Sequence, residues 1–261
     1  MLKAGLKTAI DISIIEQAKD AYFQEILKLI NNLDLPDLED GDGNYLRQNT
    51  FEIVEETEKC EFTTDVPKNA IVLKNRKISA VARSGSFRYK VAPLIVAKGH
   101  AEVDMNTVEI DVGLAFSTTT TSDGRVIPYV TAVDVKCNIN RFDINIKLWG
   151  DFITDFASIF EVFFVGTVAG LIEDTIKLTL NQGIPLVTNT ILKKSNGFLP
   201  LPIFPGWVVD YQTPAPILVS DVRCTLGYKA LFFDKLIGEE ESTGPIPDDM
   251  PYHMDTHLEK F

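Results

Sequence analysis

The chain has 261 residues, 45% of them apolar, and a formal net charge of −12 from 37 acidic and 25 basic side chains. That composition supports a substantial core, while the acidic balance argues against nucleic acid or an anionic membrane as a bulk electrostatic partner. The three cysteines, Cys60, Cys137 and Cys224, include no C-x-x-C pair, so the usual zinc pattern is missing.

Met1 leads into Leu2, Lys3 and Ala4 rather than into the apolar core of a signal peptide. A mature secreted chain and a cytosolic one read alike at this point. Ser13 and Glu16 have the spacing of a capping box and predict the start of a helix. Ile14, Ile15, Ala18, Tyr22, Ile26, Leu29 and Leu33 form its apolar stripe, opposite Glu16, Asp20, Gln24, Lys28 and Asn31. Pro36 and the run Glu39-Asp40-Gly41-Asp42-Gly43 end it. Asp40, Asp42 and Asn44 resemble calcium ligands, but the EF-hand register would put Leu38 first and Asn49 last, so the run reads as a solvated loop.

From about Thr50 to Leu148 the apolar period becomes two. Val108, Ile110, Val112, Leu114 and Phe116 alternate with Glu109, Asp111, Gly113 and Ala115, and Phe142, Ile144, Ile146 and Leu148 with Asp143, Asn145 and Lys147. Further strands are expected around Ile78–Val91, Val96–Met105 and Val126–Ile139. Turns are expected at Val66-Pro67-Lys68-Asn69, Asp104-Met105-Asn106 and Ser122-Asp123-Gly124. Long strands joined by short turns predict an antiparallel meander with one dry face.

A second long helix is expected from Asp151 to about Leu192, kinked at Gly183-Ile184-Pro185. Phe152, Phe156, Ile159, Phe160 and Phe163 share one face, Asp155, Ser158 and Glu161 the other, and Phe164–Ile172 is apolar on nearly every side. Phe152–Ile172 has the length of a membrane span and carries Gly166-x-x-x-Gly170, but Asp155 and Glu161 would each cost roughly 2–3 kcal/mol near its centre. The helix is therefore read as interior, with Gly166 and Gly170 allowing close approach to the sheet. Beyond Lys194 come Pro200, Pro202, Pro205, Pro214 and Pro216, then a last strand over Ile217–Phe233. The stretch from Gly238, with Glu239–Glu241, Pro245, Pro247 and Pro251, reads as a tether. The expected organisation is one domain over 1–237 and a tail over 238–261, in which His253 and His257 are surface residues rather than metal ligands.

Two apolar helices and one apolar sheet face make a layered α+β body. A twisted sheet wrapping the helices would enclose a long apolar sleeve. At about 25 cal/mol per Å2, an acyl chain burying some hundreds of Å2 there would gain on the order of 5–10 kcal/mol, so either side chains or a ligand fill the space.

The order of these elements resembles the amino-terminal barrel of the family of bactericidal/permeability-increasing protein, lipopolysaccharide-binding protein and cholesteryl ester transfer protein. The matching stretches are Gly5-Leu6-Lys7-Thr8 before the first helix and Leu33-Asp34-Leu35-Pro36-Asp37-Leu38-Glu39-Asp40 after it, the meander with its strand ending in Cys137, and the return Val209-Asp210-Tyr211-Gln212-Thr213-Pro214-Ala215-Pro216. The resemblance spans essentially the whole chain. It implies a long, highly twisted antiparallel sheet around two long amphipathic helices, a tubular lipid-binding barrel. It also implies an extracellular or secretory location, and a chain that is one half of a two-barrel protein or a processed form. The family's bridge from this strand to a cysteine in the second helix cannot form, because no cysteine lies between Gly150 and Leu192. Cys137 is left to pair with Cys60 or Cys224, or to stay free. Endotoxin binding is not carried over, since it relies on basic tips and this chain is acidic.

The expected activity is non-enzymatic binding or transfer of a phospholipid-like lipid. No G-x-S-x-G, P-loop or G-x-G-x-x-G occurs, and His100 is the only histidine outside the tail. The groove is expected to be lined by Ile14, Ala18, Tyr22 and Ile26, by Val112, Leu114, Ile144 and Ile146, and by Phe156, Phe160, Phe163 and Phe164. The bound lipid is a ligand; no cofactor or metal is expected. Transient membrane contact, and a second barrel or partner protein held through the tail, complete the expected partners. The alternative is an assembly subunit whose sleeve is filled and which docks through its acidic surface and tail.

Overall fold

The computed structural model describes residues 6–39, 42–56, 60–92, 95–151, 164–200, 206–229 and 231–234. Its opening elements are β1 (Leu6–Asp11), α1 (Ile12–Gln17) and α2 (Lys19–Ile30). The expected single helix is thus two, parted at Ala18. The cap is not Ser13: Asp11, in extended backbone, accepts the Ser13 N–H at 2.8 Å, because β1 delivers its carboxylate directly to the first turn. After the break the helical phase resets. Phe23, Ile26, Leu27 and Ile30 form the buried stripe of α2, with the i, i+3, i+4, i+7 spacing of a core-facing helix, while Ile14 and Tyr22 are exposed.

The body of the molecule is an eight-stranded antiparallel sheet of β2 (Leu33–Leu35), β3 (Leu38–Glu39), β4 (Tyr45–Glu56), β5 (Glu61–Asp65), β6 (Ala70–Ala92), β7 (Ile95–Thr120), β8 (Val126–Ile139) and β9 (Ile144–Asp151). Its main path runs β2-β4-β6-β7-β8, with β3 on β4, β5 on β6 and β9 on β7. The 26 residues of β7 would reach roughly 85 Å at about 3.3 Å per residue if straight. Strands of that length coil. The β6–β7 register slips between Asn75 and Ile78, Ile78 and Ala80, Ser84 and Phe87, and Lys90 and Ala92, and such bulges strengthen local twist.

The turn expected at Asp104-Met105-Asn106 is not a turn. β7 runs straight through it, and what changes there is its partner: Lys98–Met105 pair with β9, Val108–Thr120 with β8. The reversal belongs to residues 140–143 alongside, where Asn106 N–H meets the Asp143 carbonyl and Asn140 N–H the Thr107 carbonyl. The turns at Val66–Asn69 and Ser122–Gly124 are present, the first closing on a left-handed Asn69. At the far end of β9, Gly99 and Gly150 face each other so closely that a Cβ on Gly99 would lie 1.8 Å from the Trp149 carbonyl oxygen, and one on Gly150 2.1 Å from that of Lys98.

After an irregular turn of π-helix at Phe164–Val168 comes α3 (Ala169–Ser195), which runs through Pro185 without interruption. Its buried stripe is Ala169, Ile172, Ile176, Leu180 and Ile184. Gly166 and Gly170 do not bring it onto the sheet, since among the described residues no atom lies within 4 Å of where their Cβ would stand. The expected start of this helix at Asp151 falls in residues 152–163, outside the described residues. No helix among the described residues is long and apolar enough to cross a membrane.

The return contributes β10 (Phe198–Pro200), β11 (Trp207–Asp210), β12 (Leu218–Val219), β13 (Arg223–Tyr228) and β14 (Leu231–Asp234). The single last strand expected over Ile217–Phe233 is divided between two small sheets, β1-β13-β12 and β10-β11-β14. The acidic tail from Gly238 lies outside the described residues. Cys60, Cys137 and Cys224 are buried and unpaired, so neither of the open pairings forms.

Candidate functional site

The interior lies between α2, α3 and the concave face of the large sheet. Over most of its length it is filled by the chain itself. Phe23 and Ile30 from α2, Leu73, Ile78 and Ile110 from the sheet, and Ile172 and Ile176 from α3 are all essentially inaccessible and belong to one apolar cluster. A smaller cluster of Ile71, Ile217, Val219 and Cys224 packs under the return strands.

Space opens at the N-terminal end of α3, on either side of Val168. One crevice lies between α3 and the β7–β9 pair, lined by Val103, Met105, Ile144, Ile146, Val165, Val168, Ala169 and Ile172. The other lies between α3 and strands β2, β3, β4 and β6, where Leu35, Leu38, Leu46, Ala82 and Leu171 adjoin Val168. Each has room for only about one water molecule, about 10 Å3, far below the roughly 300–1,000 Å3 of ordinary small-molecule pockets. Period two creates the first crevice: Val103 and Met105 on β7, and Ile144 and Ile146 on β9, point to the same inner face.

The polar groups beside the second crevice are engaged. The Asn49 amide donates to the carbonyls of Pro36 and Leu46, each at 3.1 Å, and Ser84 donates to backbone carbonyls of Arg47 and Ser86. Arg83 donates to Glu52 at 2.6 Å and to Glu102 at 3.0 Å. Those carboxylates, Glu52 foremost, hold its guanidinium more firmly in the charged form. The site can therefore bury apolar surface and has little polar machinery for anything else.

The expected groove residues are dispersed. Ile144 and Ile146 line the first crevice. Ile26 and Val112 are buried in the filled core, and Leu114 packs beside both clusters. Ala18 sits at the helix break, and Ile14 and Tyr22 face solvent, so neither of the latter two lines the interior. Phe156, Phe160 and Phe163 lie outside the described residues, as does the side chain of Phe164. Missed by sequence reasoning were Val103, Met105, Leu35, Leu38 and Val168. The alternation Ala101-Val103-Met105 carried a signal for two of them; for Val168, an apolar residue in an all-apolar run, there was none.

The edge of β8 is closed by side chains of α3. Asn189, buried, accepts the Val130 N–H at 2.8 Å and donates to the Val130 carbonyl at 2.7 Å. Glu173 accepts from Ile139 N–H at 2.8 Å and from Arg141 at 2.7 Å. At the other end of α3, fully buried Asp210 binds Arg125 at 2.7 Å and Lys229 at 3.3 Å, tying the return to β8. These clamps fix α3 over the sheet and so fix the two crevices.

No protein-family model matches the chain, and no curated protein sequence matches it. Among solved structures, the crystal structure of lipopolysaccharide binding protein aligns over 95% of this chain and 55% of that one, with a TM-score of 0.64 at 14% identity. This chain thus spans about half the length of that protein. Epiphyas postvittana Takeout 1 aligns over 69% of this chain and 86% of its own, with a TM-score of 0.39 at 14% identity. A curled antiparallel sheet closed by a long helix, superposing on nearly the whole of this chain, identifies the architecture: the chain has the tubular lipid-binding fold seen in lipopolysaccharide binding protein.

Proposed function

We propose that the protein binds an elongated lipid, phospholipid in the first instance, without catalysing a reaction on it. The observation that carries this reading is the pair of narrow apolar crevices flanking Val168, which an acyl chain would have to widen. An acyl chain would enter beside α3 and lie against Val103, Met105, Ile144 and Ile146, or against Leu35, Leu38 and Leu46. Its headgroup would stay in water, since the adjoining polar groups already have partners. Burial of apolar surface would supply the affinity. Division into one domain over 1–237 and a tail over 238–261 is part of the same proposal. A secretory location would follow from the resemblance alone, because three unpaired cysteines supply no disulfide in its favour.

The filled middle of the tube favours a second reading, in which the fold serves as an assembly subunit. Uptake of a fluorescent phospholipid by the purified protein separates the two. Ile146→Trp and Leu38→Trp, each half-buried at a crevice wall, should lower uptake at least tenfold together while leaving the far-ultraviolet circular dichroism unchanged. Uptake indifferent to both substitutions would remove the crevices from the account.

A further inference from the structure

Along α3 the core-facing stripe Ala169, Ile172, Ile176, Leu180, Ile184 continues at helical spacing as Val187 and Ile191. Those last two are not covered: Val187 is 47% and Ile191 65% exposed, and Leu186 beside them is 69% exposed. The reason lies in the clamps. Asn189 turns one face of the helix onto β8 through Val130, so the opposite face of this half, Leu186, Val187, Thr190, Ile191 and Lys194, points outward. Leu29 of α2 lies against Gly183, just before this surface begins.

The charge of the same stretch is opposite to that of the molecule. From Thr175 to Ser195 there is no acidic residue, while Lys177, Lys193 and Lys194 are present, in a chain of net charge −12. Asp123, which adjoins the helix end, is held by Asn196 at 2.7 Å. Three large exposed apolar side chains with Lys194 in the following turn, and Lys193 at the flank 6.0 Å from the Tyr129 ring, make the pattern of a helix that lies in a lipid interface, apolar groups inserted and ammonium groups toward the headgroups.

We propose that the C-terminal half of α3, Leu186 to Lys194, is a docking face for a lipid bilayer containing anionic lipid. The negative remainder of the surface would hold the rest of the molecule off the bilayer and so orient it with this helix down. The helix whose first turns wall the crevices would then lie against the membrane by its last turns. This face extends the lipid-binding reading, on which it rests for its purpose, yet the two fail separately.

The test is flotation of the full chain with vesicles of phosphatidylcholine, with and without phosphatidylserine, beside uptake of a fluorescent phospholipid presented without vesicles. The protein should float with the mixed vesicles. Leu186→Gln with Ile191→Gln should reduce flotation at least tenfold on both compositions. Lys194→Gln should reduce it on the anionic vesicles alone, by about fivefold at low salt, and Lys193→Gln by less, because its ammonium lies over the Tyr129 ring. Vesicle-free uptake should be unchanged by all four substitutions, which sit on exposed positions. Failure of the parent chain to float, or flotation indifferent to all four, would overturn the docking face even if uptake persists. Concentration-dependent dimerisation abolished by Ile191→Gln, without flotation, would overturn it in favour of a second copy as the occupant.

Discussion

Asn189 does for the edge of β8 what a neighbouring strand would do, offering an acceptor and a donor to one residue's backbone. Asn189→Ala removes both partners of Val130 and leaves a buried N–H and C=O unpaired, at about 1–3 kcal/mol for each such group. The expected outcome is a loss of roughly 2–6 kcal/mol in urea unfolding, whereas a change below about 0.5 kcal/mol would mean that water repairs the edge. The cysteines give a second test at this scale. Burial pushes the thiol of Cys60 up to about 11 and that of Cys137 up to about 12, and burial raises Cys224 as well. Thiolate is the reactive form, so an aromatic disulfide reagent at pH 8 should label the native protein slowly and all three cysteines at once in denaturant. Rapid labelling of Cys137 in the native state would contradict the burial of β8 beneath α3.

At the scale of elements, Glu173 joins α3 to the last residue of β8. Burial pushes its carboxyl up, but the hydrogen bonds from Arg141 and the Ile139 N–H outweigh that and hold it below the ordinary 4.5. A lowered folded value means stabilisation that is complete above the unfolded value near 4.5 and is lost as pH falls through the folded one. Glu173→Gln should therefore flatten the decline of the urea midpoint below about pH 4.5 and be less stable than the parent at pH 7. An unchanged acid limb would place the titration elsewhere.

Elements also mark how far the sequence could be read. β8 was legible to its end residues, because alternation bounded by turn residues admits one solution. The first helix was not. Two overlapping stripes share Ile26, one through Ala18 and Tyr22, the other through Phe23 and Ile30, and only the break at Ala18 selects the second. The polar pair Asp104 and Asn106 around Met105 was sensed but misassigned, since composition marks a reversal without saying which of two adjacent strands reverses. For the site, inward alternation indicated Ile144 and Ile146, but which inward residues border space and which fill it depends on α3 sitting over the sheet, a contact between residues far apart in sequence.

For the whole molecule, the order helix, meander, helix, return is legible in the chain, and the resemblance it carries to the lipid-binding barrels implies the tube. The tube's ligand content depends on a balance that order cannot express. Phe23, Ile78, Ile110 and Ile172 pack in one apolar cluster, and beside Val168 two narrow apolar crevices remain. The most direct measurement is native mass spectrometry of the purified chain, with lipid extraction of the same sample. A bound species of lipid mass, lost from the double variant Ile146→Trp/Leu38→Trp and restored to the parent by incubation with phospholipid, is the expected result. A parent chain that appears only at its bare mass and takes up no phospholipid would contradict lipid binding and leave the filled tube as an assembly scaffold.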